Sequence, residues 1–258
     1  MIYREGAGRY RAVLGLKWHF APKFAGGLPP RVVAALPDMG NVAGIGVAYL
    51  AKKLDARLFA ELYSFWPPFV GYKDGIVEYR QASYRFYAAE PLDLVIFAGD
   101  FNPADPRRLY EVCYEVLDVA GKVGAGALYS IGAALRQATG DKVYAATNNP
   151  AMVGQLKEAG AEMLQGEGQI SGFNGLITGL AKEQGIDAAC LLGEIDNPNI
   201  IQPRAAQSIL QVLTRALGIP ALDMTQLSDE EKRKKFMEQQ VSYLEKVMER
   251  GGEPPGIA

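Results

Sequence analysis

Two glycine-bearing stretches of this 258-residue chain carry the parts of a phosphate site. In "DMGNVAGIG" (Asp38 to Gly46) an apolar strand runs into glycines and then a helix, so that Asn41 and the amides after it would face an anion. In "GQISGFNGLITGLAKEQGIDAACLLGEI" (Gly168 to Ile195) glycines open a helix, and a buried strand follows that ends on a glutamate. Glycine is also what a tight turn into a helix requires, and a lone glycine pattern is a weak signal, so the turn reading is preferred in both places. Open α/β sheets bind ligands in the crevice beyond the carboxyl ends of their strands. The residues expected there are Gly40, Asn41, Glu61, Asp100, Asn148, Asn149, Asn174, Gly175 and Glu194. These amides and carboxylates suit capping as well as binding. Glu61, Asp100 and Glu194 would hold a metal only if the fold brought two of them together, and ligase chemistry on ATP would need a basic residue converging with them.

The remaining reactive side chains offer little. The single histidine, His19, has no acid or nucleophile near it in sequence and reads as structural. Cys113 shares an apolar helix face with Leu109, Val116 and Leu117, and Cys190 sits inside "AACLLG", so both thiols are expected to be desolvated and unreactive. "GKVGAG" (Gly121 to Gly126) follows a helix and precedes a strand, the wrong order for a phosphate cradle. No Gly-x-Ser-x-Gly elbow and no zinc-type His-Glu spacing is present. No catalytic residue, metal or cofactor is therefore predicted.

The elements that would position these residues alternate. "RVVAAL", "ARLFAELY", "LDLVIFAGD", "GALYSIGAA", "KVYAATN" and "DAACLLGEI" read as strands. "VAGIGVAYLAKKL", "DPRRLYEVCYEVLDVAGK", "PAMVGQLKEAG" and "PRAAQSILQVLTRALG" read as helices, the second with Asp105 as N-cap and Pro106 in its first position. Asp74-Gly75 in "FVGYKDGIVEYR" marks a hairpin. The sum is an α/β chain, a three-layer α/β/α sandwich around a mostly parallel sheet. The expected organisation is one domain over 1–224, a C-terminal amphipathic helix over 225–252 and a flexible tail over 253–258, with Ser228 and Glu231 as a capping box.

Composition narrows the function classes. A net charge of -2 carries no electrostatic footprint for nucleic acid, and no window reaches the ~18 apolar residues of a membrane helix. Two distant cysteines make no disulfide framework, which fits a cytoplasmic protein. Two segments are more apolar than exposed elements should be. One is "LYSFWPPFVGY", with Phe65, Trp66 and Phe69; the other is the C-terminal helix, whose stripe holds Phe236, Val241, Leu244, Val247 and Met248. They are the expected interface of a homo-oligomer.

The order of motifs resembles the proteasome assembly chaperone family in its archaeal and bacterial form. The likeness runs from about Leu28 to Asp223, through "MGNVAGIGVAYLAKKLDARLFAEL", Pro67-Pro68, Asp74-Gly75, "DLVIFAGDFNP", the Gly168 to Ile195 stretch and "AAQSILQVLTRALGI". The resemblance implies a sandwich similar to nucleoside phosphorylases and peptidyl hydrolases, assembled as a homo-oligomer and without established catalysis. It also implies a client, proteasome α subunits, whose assembly archaeal members assist. Members have been labelled as related to ATP-grasp ligases, which gives the rival reading of a ligase-like or phosphorylase-like enzyme. Some members end in a hydrophobic-Tyr-any tail that docks between α subunits. This chain ends Gly256-Ile257-Ala258, with Ile257 in the tyrosine's place, so docking through the folded body is expected instead.

Overall fold

The structure, a computed structural model, describes residues 15–64, 70–78, 82–136 and 141–235. The expected interface residues Phe65, Trp66, Phe69, Phe236, Val241, Leu244, Val247 and Met248 lie outside these, as does the expected tail. In chain order the elements are β1 (Gly15–Trp18), β2 (Arg31–Ala35), α1 (Val42–Lys53), β3 (Arg57–Ser64), β4 (Gly71–Lys73), β5 (Ile76–Glu78), β6 (Ala82–Ala89) and β7 (Leu94–Gly99). Then come α2 (Pro106–Lys122), β8 (Ala127–Leu135), β9 (Val143–Thr147), α3 (Met152–Glu158), β10 (Glu162–Met163), α4 (Gly172–Glu183), β11 (Asp187–Ile195) and α5 (Pro203–Leu217). Residues 225–235 begin a further helix, α6.

Nine of these strands form one sheet in the order β1-β3-β6-β7-β2-β8-β11-β9-β10. The inner four, β7, β2, β8 and β11, are parallel to one another, as their unbroken apolar runs require. The flanks are antiparallel, through β6 beside β7 and β9 beside β11, so the sheet is mixed with a parallel centre. Alternation along β2 splits the core in two. Val33 and Ala35 pack with α1, α3 and α5, while Val32, Ala34 and Leu36 pack with α2 and α4, which gives the three layers.

Local signals set the connections. Asp105 accepts from Arg107 N at 2.9 Å with Pro106 in the first turn, so α2 starts where its cap dictates. Asp74 and Gly75 both have positive φ, 50° and 77°, and close β4 on β5 as a type I′ hairpin that stands apart from the main sheet. The C-terminal helix begins at 225, three residues before Ser228. Asp223 Oδ1 accepts from Thr225 N at 3.0 Å, and Ser228 lies inside the helix with its Oγ 3.3 Å from Gln207, so the expected capping box does not open it. At the amino edge of the sheet Arg31 ties two elements together, donating to Leu217 O at the end of α5 and to Leu92 O before β7.

Candidate functional site

The turn after β2 lies at the carboxyl edge of the sheet, where the sequence places a ligand crevice. Asp38 leaves the strand and folds its carboxylate over the first turn of α1, with Oδ1 accepting from Ala43 N at 2.8 Å. The helix N-terminus is thus occupied by the chain's own anion, which displaces the reading of this turn as an anion site. Asn41, expected to face the ligand, is exposed with φ 51°, and its side chain lies along the helix over Gly44. Gly40, with φ 63°, is buried under Gln202. Gly40 N donates to Pro198 O and Gln202 N donates to Gly40 O, both at 2.9 Å.

Across the sheet end, α4 brings Asn174 to the same place. A Cβ on Gly132 in β8 would collide with Asn174 Nδ2 and sit 3.3 Å from Asp38 Oδ2, so the missing side chain of Gly132 lets the two residues converge. Asp38 Oδ2 and Asn174 Oδ1 are both buried without a hydrogen-bond partner. Burial pushes the Asp38 carboxyl up to about 6, against the pull of the Ala43, Ala133 and Val42 backbone N–H groups. Beneath them Ser130 Oγ and Thr178 Oγ1, 3.1 Å apart, both donate to Asn174 O and fix the first turn of α4. Gly175 holds that turn against Ile170, whose carbonyl a Cβ would strike. Alongside, Leu109 and Ile170 with Gly172, Gly175, Leu176 and Gly179 line an open, shallow groove of about 430 Å³.

The other expected site residues do not join this centre. Glu194, near the end of β11, accepts from Tyr144 Oη at 3.3 Å, and Arg136 lies over the Tyr144 ring. Asp100 pairs with Arg85 and takes Ser83 N at 3.1 Å. Glu61 stands opposite Arg85 in the β3–β6 register and accepts from Tyr63 Oη at 2.8 Å. The strand carrying Glu194 is three places from that leading to Asp100, roughly 14 Å at ordinary strand spacing. Arg85 pairs with Asp100, while Glu61 is held by Tyr63 and His19, so each carboxylate is committed to groups of the fold. Asn148 and Asn149 are structural: Asn148 Nδ2 donates to Thr178 O and Ile186 O, and Asn149 Nδ2 to Asp187 Oδ1.

Two points go beyond the sequence reading. His19, with no acid near it in sequence, has one in the fold: its Nε2 lies 2.9 Å from Glu61 Oε2, a partner 42 positions away that only the pairing of β1 with β3 brings near. Asp38 was not among the expected site residues, although an acid leaving an apolar strand one turn before a helix is a readable signal for a cap. The thiols are as expected, with burial pushing Cys113 up to about 12 and Cys190 up to about 11. Among the described residues no group of three or more His, Cys, Asp or Glu side chains is placed to hold a metal, and no helix is long and apolar enough to cross a membrane.

A family model described as "PAC2 family" matches residues 32–242, from the second strand to beyond the start of α6. The chain belongs to the PAC2 family. A curated relative, the uncharacterized protein MJ1210 of Methanocaldococcus jannaschii, is 30% identical over 223 residues, 84% of each chain. Among solved structures the PAC2 chain is similar to Pyrococcus furiosus PbaB, described as an archaeal proteasome activator, with a TM-score of 0.78 and 25% identity over 90% of this chain and all of that one. It shares its fold with Pyrococcus furiosus PbaA, described as an archaeal homolog of proteasome-assembly chaperone, with a TM-score of 0.71 and 24% identity over 92% of this chain and 97% of that one. The α/β/α sandwich is thus the PAC2 fold, with the turn at Asp38 and the start of α4 inside the matched region.

Proposed function

We propose that this PAC2 protein is a non-enzymatic, proteasome-assembly-chaperone-like protein that binds proteasome α subunits or a related client, as a cytoplasmic homo-oligomer. The observation that carries the reading is the near full-length likeness to PbaB, whose whole chain is covered. The geometry of the carboxyl edge supports it. Asp38 caps its own helix, Glu61 and Asp100 are engaged by Tyr63, His19 and Arg85, and both cysteines are buried. None of these groups is paired as a nucleophile with a base. Interaction is also supported by the β4–β5 hairpin, where Val70, Tyr72, Ile76 and Val77 are more than half exposed; a two-stranded ribbon is marginal in water unless something covers it.

The test is capture of the chain, tagged at its native level, from its own cells, with mass spectrometry of what accompanies it. Proteasome α subunits are expected as the leading partner. A different reproducible partner in their place would remove the α subunits as the client, and a capture with no reproducible partner would overturn the reading.

A further inference from the structure

The C-terminal helix is joined to the carboxyl edge through one buried glutamine. α6 starts near the end of α1, where Asp223 O accepts from Tyr49 Oη at 2.6 Å and its carboxylate takes Lys53 at 2.8 Å. Eleven residues after Asp223, at the other end of α1, Lys234 donates to Gln202 Oε1 at 2.6 Å with its side chain only 10% exposed. Gln202 is 4% exposed and its polar atoms are all used: Nε2 donates to Asp196 Oδ1 at 2.9 Å and to Asn197 O at 2.8 Å, which leaves Oε1 for the lysine. The same glutamine seals Gly40, where a Cβ would lie 2.5 Å from Gln202 Cγ and 3.1 Å from Ile200 O. Glu231 lies beside this joint, its side chain 11% exposed and its oxygens 3.9 and 3.7 Å from the Lys234 and Lys235 ammonium groups.

We propose that Gly40, Gln202 and Lys234 form a latch that fixes α6 to the turn after β2. Lys234 is a positioning residue in this arrangement. Removing the Lys234 ammonium while α6 stays packed leaves Gln202 Oε1 buried without the partner that completes its hydrogen bonding, and an unsatisfied buried acceptor is costly. A change in the turn at Gly40 must therefore be felt in α6, which begins eight residues beyond α5, because Gly40 acts on that helix through Gln202. The inference holds whichever client the protein serves.

Amide hydrogen exchange of the full chain tests it. Lys234→Met should speed exchange in residues 225–235 by about tenfold or more, the scale expected for losing a charged hydrogen bond to a buried acceptor, with the strands of the central sheet unchanged. Lys234→Arg, which keeps a cationic donor, should restore most of the protection. Gly40→Ala should speed exchange in 196–202 and in 225–235 together; if that variant does not fold, Gln202→Met serves in its place. Faster exchange at 196–202 with 225–235 unaffected would show that the joint does not transmit, and a uniform rise across the chain in every variant would show only global destabilisation. Either result, or failure of the arginine to rescue, overturns the latch.

Discussion

At the scale of single residues, Asp38 is the group whose environment is most at odds with its charge. Its carboxyl rises from 3.8 to about 6 because burial outweighs the helix amides, and the folded state therefore holds its proton more tightly than the unfolded chain. Stability from this group is full below the unfolded value and is lost as pH rises to about 6, a difference of about 3 kcal/mol. Asp38→Asn keeps an oxygen for Ala43 N and removes the group whose charge burial penalises. The variant should gain on the native protein as pH rises from about 4 to about 6.5 and hold that gain above it. Urea unfolding of both proteins across this range checks it; a stability difference independent of pH would mean that the carboxyl titrates normally. Glu61 shifts the other way, held low by Tyr63 and His19 against the cost of its burial, so only the difference between the two proteins isolates Asp38. Sequence alone offered the Asp105 cap, which bonds two positions away, whereas the Asp38 bond to Ala43 N, five positions away, was not read from it. The His19–Glu61, Arg85–Asp100 and Gly40–Gln202 contacts span strands whose order no local pattern specifies.

At the scale of elements, α4 carries glycines whose neighbours differ sharply. A Cβ on Gly175 would strike the backbone carbonyl of Ile170, which has no room to yield, whereas nothing lies within 4 Å of one on Gly179. Gly175→Ala should cost about 1–3 kcal/mol of stability by forcing the first turn of α4 off residue 170. Gly179→Ala should be neutral or stabilise by up to about 1 kcal/mol through helix propensity. Denaturant midpoints of the two variants decide; equal effects would mean that Gly175 does not pack as described. This is also where the glycine pattern became interpretable. "GFNGLITG" looked like a phosphate cradle because spacing alone cannot separate close packing from ligand approach. In the structure Gly175 is where α4 packs on the Ile170 carbonyl, and Asn174 O is held by Thr178 Oγ1, so close packing accounts for that glycine. The parallel centre of the sheet was legible from its apolar runs, while the antiparallel insertion of β9 beside β11 was not, because both arrangements bury the same alternation.

At the scale of the whole molecule, the surface is uneven. The hairpin exposes Val70, Tyr72, Ile76 and Val77 at 51%, 80%, 70% and 66%, and α2 adds Tyr110 and Tyr114 at nearly half, which favours association. Light scattering at micromolar concentration should give a multiple of the 27.9 kDa chain mass, and a monomer would count against the oligomer. Under the proposed function the folded body, rather than the residues after it, carries most of the client affinity. The most direct measurement of that claim is a binding titration of purified proteasome α subunits from the same organism with two proteins, the full chain and a chain ending at Gly252. The account predicts saturable binding by both, with affinities within about threefold of each other, less than 1.4 kcal/mol apart. Binding by neither protein, or binding that disappears with the last six residues, would contradict it.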